Sequence, residues 1–108
     1  MENSSELLRG HTDTVVLSIL IKSDSYGYEI RKIIQDKSDE MFELKEATLY
    51  SSYKRLEQDG YIESYWGDET QGGRRKYYKI TRAGIELYQQ NIKDWRMTQK
   101  ILNKLLGE

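Results

Sequence analysis

The sequence predicts a mainly α domain of the α+β class: three helices, a two-stranded β-hairpin, then one long helix. Three observations carry the prediction. Apolar residues recur three and four positions apart in three separate stretches, the spacing of a helix face. Two short tyrosine-rich stretches alternate residue by residue, the period of a strand. The last stretch, Arg82 to Leu106, keeps a heptad stripe with no proline to break it.

The first helix is Thr12 to Lys22, where Val15, Val16, Leu17, Ile19, Leu20 and Ile21 cover nearly the whole circumference. A helix that is apolar all round is buried on all sides, here partly by another subunit. Its β-branched content would also suit a strand, but its length and lack of alternation favour a helix. Ser23-Asp24-Ser25 reads as a turn and helix cap, and the second helix runs from Tyr26 to about Lys37 with Tyr26, Ile30 and Ile33/Ile34 as its stripe. Ser38-Asp39 breaks it. Met41 to Leu44 is a short apolar linker.

The third helix runs from about Lys45 to Asp59, with Gly60 in the C-terminal capping position. Leu49, Tyr53 and Leu56 form its inner stripe, while Thr48, Ser51, Ser52, Lys54 and Arg55 lie mainly on other faces. Tyr61 to Trp66 and Lys76 to Thr81 are the two strands, and the polar loop GDETQGGRR between them is the tip of a hairpin. Thr81 caps the last helix, where Ile85, Tyr88, Ile92, Trp95, Gln99, Leu102 and Leu106 step by three and four. Such a helix is roughly 35 Å long, more than a small domain covers by itself, so its stripe reads as a seam between subunits.

Composition excludes several classes of function. The 108 residues hold no cysteine and one histidine, so neither a disulfide, a thiolate metal site nor a multi-histidine site can form, and no metal or cofactor is expected. The longest apolar run, Val15 to Ile21, is far short of the roughly 20 residues of a membrane span. The amino terminus lacks the basic-then-apolar order of a signal peptide, and the expected location is the cytoplasm. A hydrophobic fraction of 37% is thin for a domain this small and predicts a homodimer that shares core between subunits.

Helix, helix, helix, hairpin, long helix is the order of a winged helix-turn-helix, in which a helix lies in the DNA major groove and the hairpin tip touches flanking backbone. The charge pattern agrees. The chain is −1 overall, yet residues 71–82 hold Arg74, Arg75, Lys76, Lys79 and Arg82 and no acid. Gly72 and Gly73 would let the backbone approach a phosphate closely. On the third helix Lys45, Thr48, Tyr50, Ser51 and Lys54, with the small Ala47 among them, offer groups suited to phosphates and base edges. Arg55 can equally pair with Asp59 on its own helix. The candidate DNA-binding residues are therefore Lys45, Ala47, Thr48, Tyr50, Ser51, Lys54, Gly73, Arg74, Arg75 and Lys76, and the partner is double-stranded DNA.

Trp95 is the other singular residue. Near a two-fold axis it meets its own copy, and two indoles there either stack as core or hold a planar guest between them. Gln99, one turn on in an apolar seam, points to a wet cavity.

The stretch from Leu44 to Gly84 carries A-T-L-Y-x-x-x-x-R-L-E-x-D-G-x-I and then G-G-R-R-K-Y-Y-x-I-T-x-x-G, and it resembles the PadR family of bacterial transcriptional regulators, as does Tyr26-Gly27-Tyr28-Glu29-Ile30 upstream. The resemblance spans roughly residues 7 to 106. It implies a dimeric winged-helix repressor whose last helix joins the first in making the dimer, with Thr48, Tyr50 and Lys54 on the recognition helix and Gly73, Arg74 and Arg75 at the wing tip. The single carboxy-terminal helix is similar to that of the small-subunit branch, and SYWGDE-x-QGGRRKYY to its multidrug-binding members. That likeness implies a ligand site for planar aromatic small molecules at Trp95, Tyr88, Ile92 and Gln99, with Thr14 and Ser18 from the first helix. Tyr88 and Ile92 stand where a methionine and a phenylalanine would be expected, and Gln99 where an acid would.

The expected division is residues 1–81 as the DNA-binding part, its first 11 a flexible arm leading into the first helix, and residues 82–108 as the dimerisation helix, the two packed as one unit. Two other functions compete. One is a winged-helix protein-interaction module without DNA or ligand binding. The other is a small hydrolase pairing Ser4, Ser5 or Thr12 with His11, disfavoured because no glycine-framed nucleophile turn is present.

Overall fold

A computed structural model describes residues 8, 10–67 and 74–107. The elements follow in the order α1 (Thr12–Leu20), β1 (Ser25–Tyr26), α2 (Gly27–Lys37), α3 (Glu46–Gln58), β2 (Ile62–Trp66), β3 (Lys76–Ile80) and α4 (Arg82–Leu106). The fold class is the expected one: four helices around a small antiparallel sheet in a winged helix-turn-helix.

α1 sits at the centre and packs against α4, α3, β3 and α2. That placement is why it is apolar almost all round: Val16, Leu17, Ile19 and Leu20 are buried by the rest of the chain, while Val15 and Ile21 stay half-buried. α2 buries Ile30 and Ile34 and ends at Lys37, where Asp39 and Glu40 turn the chain with φ of 56° and 64°. The Phe42 amide donates to Ser38 Oγ at 3.1 Å, closing that turn. The linker then alternates, Phe42 and Leu44 dropping into the core while Met41 and Glu43 face out.

The sheet departs from the expected two strands. Ser25 and Tyr26 form a third strand, and the order is β1-β3-β2. Ser25 pairs with Tyr78 and Tyr26 with Tyr77. Ser25 is therefore not a helix cap. Its hydroxyl donates to the Glu29 carboxylate, and Tyr26 takes the position before α2 without a side-chain cap. A two-residue strand shows no periodicity, so nothing in the local sequence separates it from a turn. In the hairpin Ile62, Ser64 and Trp66 of β2 stand opposite Ile80, Tyr78 and Lys76 of β3. Ile62 and Tyr78 reach the core, and Trp66 at the far end is exposed.

α4 starts where expected, and the reason is local. Thr81 Oγ1 accepts from the Gly84 amide at 3.1 Å and donates to the Gly60 carbonyl at 2.8 Å. One hydroxyl thus caps α4 and ties it to the turn after α3, where Gly60 has φ of 82°. Gly84 lies flat against that turn. A Cβ there would stand 2.1 Å from the Tyr61 carbonyl oxygen and 2.7 Å from Ile80 Cγ1. Beyond the first turns the helix leaves its own core. Ile85, Tyr88 and Ile92 are half-buried, Trp95 and Leu102 are 47% exposed, and Leu106 is 71% exposed. Among the described residues no helix is long and apolar enough to cross a membrane.

The Gly84 contact is with backbone, which cannot step aside. Gly84→Ala is expected to lower stability by about 2–3 kcal/mol, read as a fall in the urea midpoint; an unchanged midpoint would show that α4 can lift off the Tyr61 carbonyl at no cost.

Candidate nucleic-acid interface

α3 carries two stripes. Leu49, Ser52, Tyr53 and Leu56 are buried, and Ala47, Tyr50, Ser51 and Lys54 are exposed. Each set runs i, i+3, i+4, i+7, and the two-residue offset turns one about 200° from the other. Lys45 is exposed just before the helix and Thr48 is half-buried beside the outer stripe. Ser52 belongs to the inner stripe, contrary to the outward position expected for it.

A carboxylate from α1 makes that burial tolerable. Ser52 Oγ donates to Asp13 Oδ1 at 2.6 Å, and Arg55 reaches the same carboxylate with Nε 3.0 Å from Oδ2 and a second bond from its Nη2. Arg55 thus pairs with Asp13 across the fold, a partner that neither of the two roles open to it in the sequence, a contact to DNA or a pair with Asp59, had named. A bidentate guanidinium–carboxylate pair fixes orientation as well as distance. The outer stripe is aimed by this contact, because α3 cannot rotate about its axis without breaking it.

The wing presents Arg74, Arg75 and Lys76, all exposed. Each cation stands over a ring: Arg74 5.4 Å from the Trp66 centroid, Arg75 4.8 Å from Tyr26, and Lys76 5.8 Å from Tyr78. Cations held over aromatic faces keep their charge in place while remaining solvated. Lys54 is placed likewise, 5.8 Å from the Tyr50 ring on the outer stripe. Gly73, like Gly72, lies outside the described residues. The wing base is tied back by aromatic contacts, Tyr65 stacked on Tyr77 at 5.6 Å and Tyr26 meeting Tyr77 edge-on at 5.3 Å. The Tyr65 hydroxyl donates to Asp24, and that bond pushes the phenol up to about 12. The neutral phenol is the form that bonds, so the tie holds below the ordinary phenol range and is lost as pH rises through about 12.

The second group of candidates lies on α4 and α1. Trp95 and Gln99 are exposed, and Tyr88 and Ile92 are half-buried, Tyr88 packing against the chain's own core. Asn91 Nδ2 donates to Thr14 Oγ1 at 2.9 Å, and Ser18 Oγ donates to the Val15 carbonyl at 2.6 Å. Ser18 lines a groove of about 270 Å³ with Val15, Ile19 and Phe42, whose walls include none of the four α4 candidates. Of the hydrolase residues, His11 is exposed ahead of α1, Thr12 opens α1, and Ser4 and Ser5 lie outside the described residues.

Asp13, Ser52 and Trp66 were not among the candidate site residues, and Ser52 had been placed on an outer face of α3. The i, i+3, i+4, i+7 set of Leu49, Ser52, Tyr53 and Leu56 was a usable signal for Ser52, since a serine on an inner stripe requires a partner. Asp13 and Trp66 gave no local signal, because Ser52 is 39 residues from Asp13, and Arg74 reaches Trp66 from the far side of the hairpin loop.

Comparison with known proteins places the chain among relatives. The profile of the Transcriptional regulator PadR-like family matches residues 16–90. An uncharacterized protein of Lysinibacillus sphaericus is 40% identical over 99 residues, covering 92% of this chain and 91% of its own. A solved structure of a transcriptional regulator from Clostridium thermocellum is 53% identical with a TM-score of 0.85, covering 93% of this chain and 94% of that one. A PadR family transcription regulator from Clostridium difficile is 42% identical with a TM-score of 0.78, covering 90% of this chain and 99% of that one.

The Asp13 contact makes a direct prediction. Asp13→Ala strands the buried Ser52 hydroxyl and should cost about 2 kcal/mol. Adding Ser52→Ala should recover part of that loss, as measured by a double-mutant cycle in urea. Strict additivity of the two changes would show that the contact carries no coupling.

Proposed function

The chain belongs to the PadR-like family of transcriptional regulators, and from that membership we propose that it acts as a homodimeric DNA-binding repressor whose hold on its operator is modulated by planar aromatic compounds at the dimer centre. One observation carries the DNA half of the reading: the outward stripe of α3 and the cations of the wing lie on neighbouring elements, each held rigidly by contacts of its own. α3 enters the major groove. Ala47, Thr48, Tyr50, Ser51 and Lys54 face base edges and sugar-phosphate, and Lys45 meets backbone at the helix start. Gly73, Arg74, Arg75 and Lys76 track flanking phosphates and supply the salt-dependent share of affinity.

The dimer half rests on the exposed apolar length of α4. Trp95, Leu102 and Leu106 continue the stripe that Ile85, Tyr88 and Ile92 begin, and a second copy would bury them. Residues 82–108 are then the dimerisation helix and residues 1–81 the DNA-binding part. Trp95 pairs with its own copy near the axis, and a flat guest enters between the two indoles, with Tyr88, Ile92, Gln99, Thr14 and Ser18 around it. The guest shifts the population toward a dimer whose recognition helices no longer match half-sites about 34 Å apart.

Two measurements test the reading. Binding to duplex operator-length DNA, followed by fluorescence anisotropy across a salt series, should weaken steeply as salt rises, and changing both Arg74 and Arg75 to alanine should reduce the log–log slope by about 4, since the dimer carries two copies of each. An unaltered slope removes the wing from the interface. For the dimer centre, planar dyes at micromolar concentration should quench emission in a manner lost in Trp95→Phe; equal quenching in both proteins places the dye elsewhere.

A further inference from the structure

We propose that the cleft between α2, α3 and β3 is a second ligand site, one for planar aromatic anions, and that an anion held there excludes DNA. The exclusion half rests on the DNA-facing reading of α3 and the wing; anion binding stands without it. The cleft holds about 690 Å³, within the range of small-molecule sites. It is separate from the α4 residues proposed to line the dimer centre, none of which lines it.

Shape and chemistry narrow the ligand. The walls are tyrosine rings: Tyr26 and Tyr50 at the sides, and Tyr53 and Tyr78 within, their centroids 4.5 Å apart. Stacked and tilted rings of this kind accept a flat aromatic face. The lining cations are Arg31, Arg75 and Lys76, against one acid, Glu46, whose carboxylate stands 3.6 Å from Arg31 with a side chain 88% exposed. That balance selects a negative guest.

A third observation concerns the hydroxyl of Tyr53. The residue is 6% exposed, and its oxygen is buried with no hydrogen-bond partner among the described residues. Buried hydroxyls in proteins are almost always paired. Burial also drives its pKa up, so the group remains a donor at any ordinary pH. A carboxylate or sulfonate would supply the missing acceptor.

The consequence for DNA follows from shared walls. Ala47 and Tyr50 of the outer stripe and Lys76 of the wing line the same cleft. A guest there sits under the groove-facing surface and blocks it directly, whereas a guest at the dimer centre acts by changing the spacing of the recognition helices.

The test uses the full-length protein with 1-anilinonaphthalene-8-sulfonate as the anionic probe and uncharged N-phenyl-1-naphthylamine as its control. Sulfonate emission should rise to saturation. Arg31→Gln should weaken it roughly tenfold and Tyr53→Phe about fivefold, and the neutral probe should ignore the arginine substitution. Duplex DNA should displace the sulfonate competitively. Wild-type affinity in both Arg31→Gln and Tyr53→Phe overturns the site. If both cleft substitutions weaken the probe but bound DNA leaves it in place, the anion site stands and exclusion is overturned. DNA binding that fails in the absence of any probe, with the cleft substitutions behaving as expected, overturns the DNA-facing reading alone.

Discussion

The outward stripe of α3 is aimed by one carboxylate. Asp13 receives the Ser52 hydroxyl and two nitrogens of Arg55, so the central helix grips α3 at two points one turn apart. Apolar packing alone would hold α3 against α1 but would tolerate small rotations, since hydrophobic burial is non-directional. Hydrogen bonds to a charged group do not tolerate them. The next residue along, Thr14, accepts from Asn91 of α4. Two consecutive residues of α1 therefore contact the helix proposed for DNA and the helix proposed for the dimer. A shift of α4 against α1 reaches α3 through adjacent backbone, which gives the proposed guest at the dimer centre a physical route to the recognition helix.

The wing solves a different problem, that of holding positive charge on a thin hairpin. A two-stranded ribbon is marginal by itself. Here β1 adds a third strand at the base, Tyr77 stacks on Tyr65 and meets Tyr26 of β1 edge-on, and Thr81 fastens the end of β3 to the turn after α3. The exposed cations then rest on rings. A chain of net charge −1 can present a basic face here because residues 71–82 hold five cations and no acid, while Asp24 bonds to Tyr65, Glu57 to Ser64 and Asp13 to α3.

Most of the architecture could be read from spacing. The bounds of α4, the end of α2 at Lys37 and the Thr81 cap all follow from local rules, because helix periodicity, a cap hydroxyl and a turn are properties of neighbouring residues. The basic wing and the outer stripe of α3 were legible for the same reason. The buried place of Ser52 was half legible, its position fixed by the stripe but its partner not.

The sequence by itself determined which residues are apolar, which are cationic, and how each segment divides its faces; that was enough for the winged helix and for the family likeness. Only the tertiary structure decided that Ser25 and Tyr26 are a strand, that Arg55 bonds to Asp13 and not to Asp59, that Gly84 is required by the Tyr61 carbonyl, and that five tyrosines line a cleft beside the wing. These are contacts between segments far apart in the chain. A pairing of that kind leaves no periodic trace in either partner, because its energy comes from meeting a surface that the local sequence does not encode.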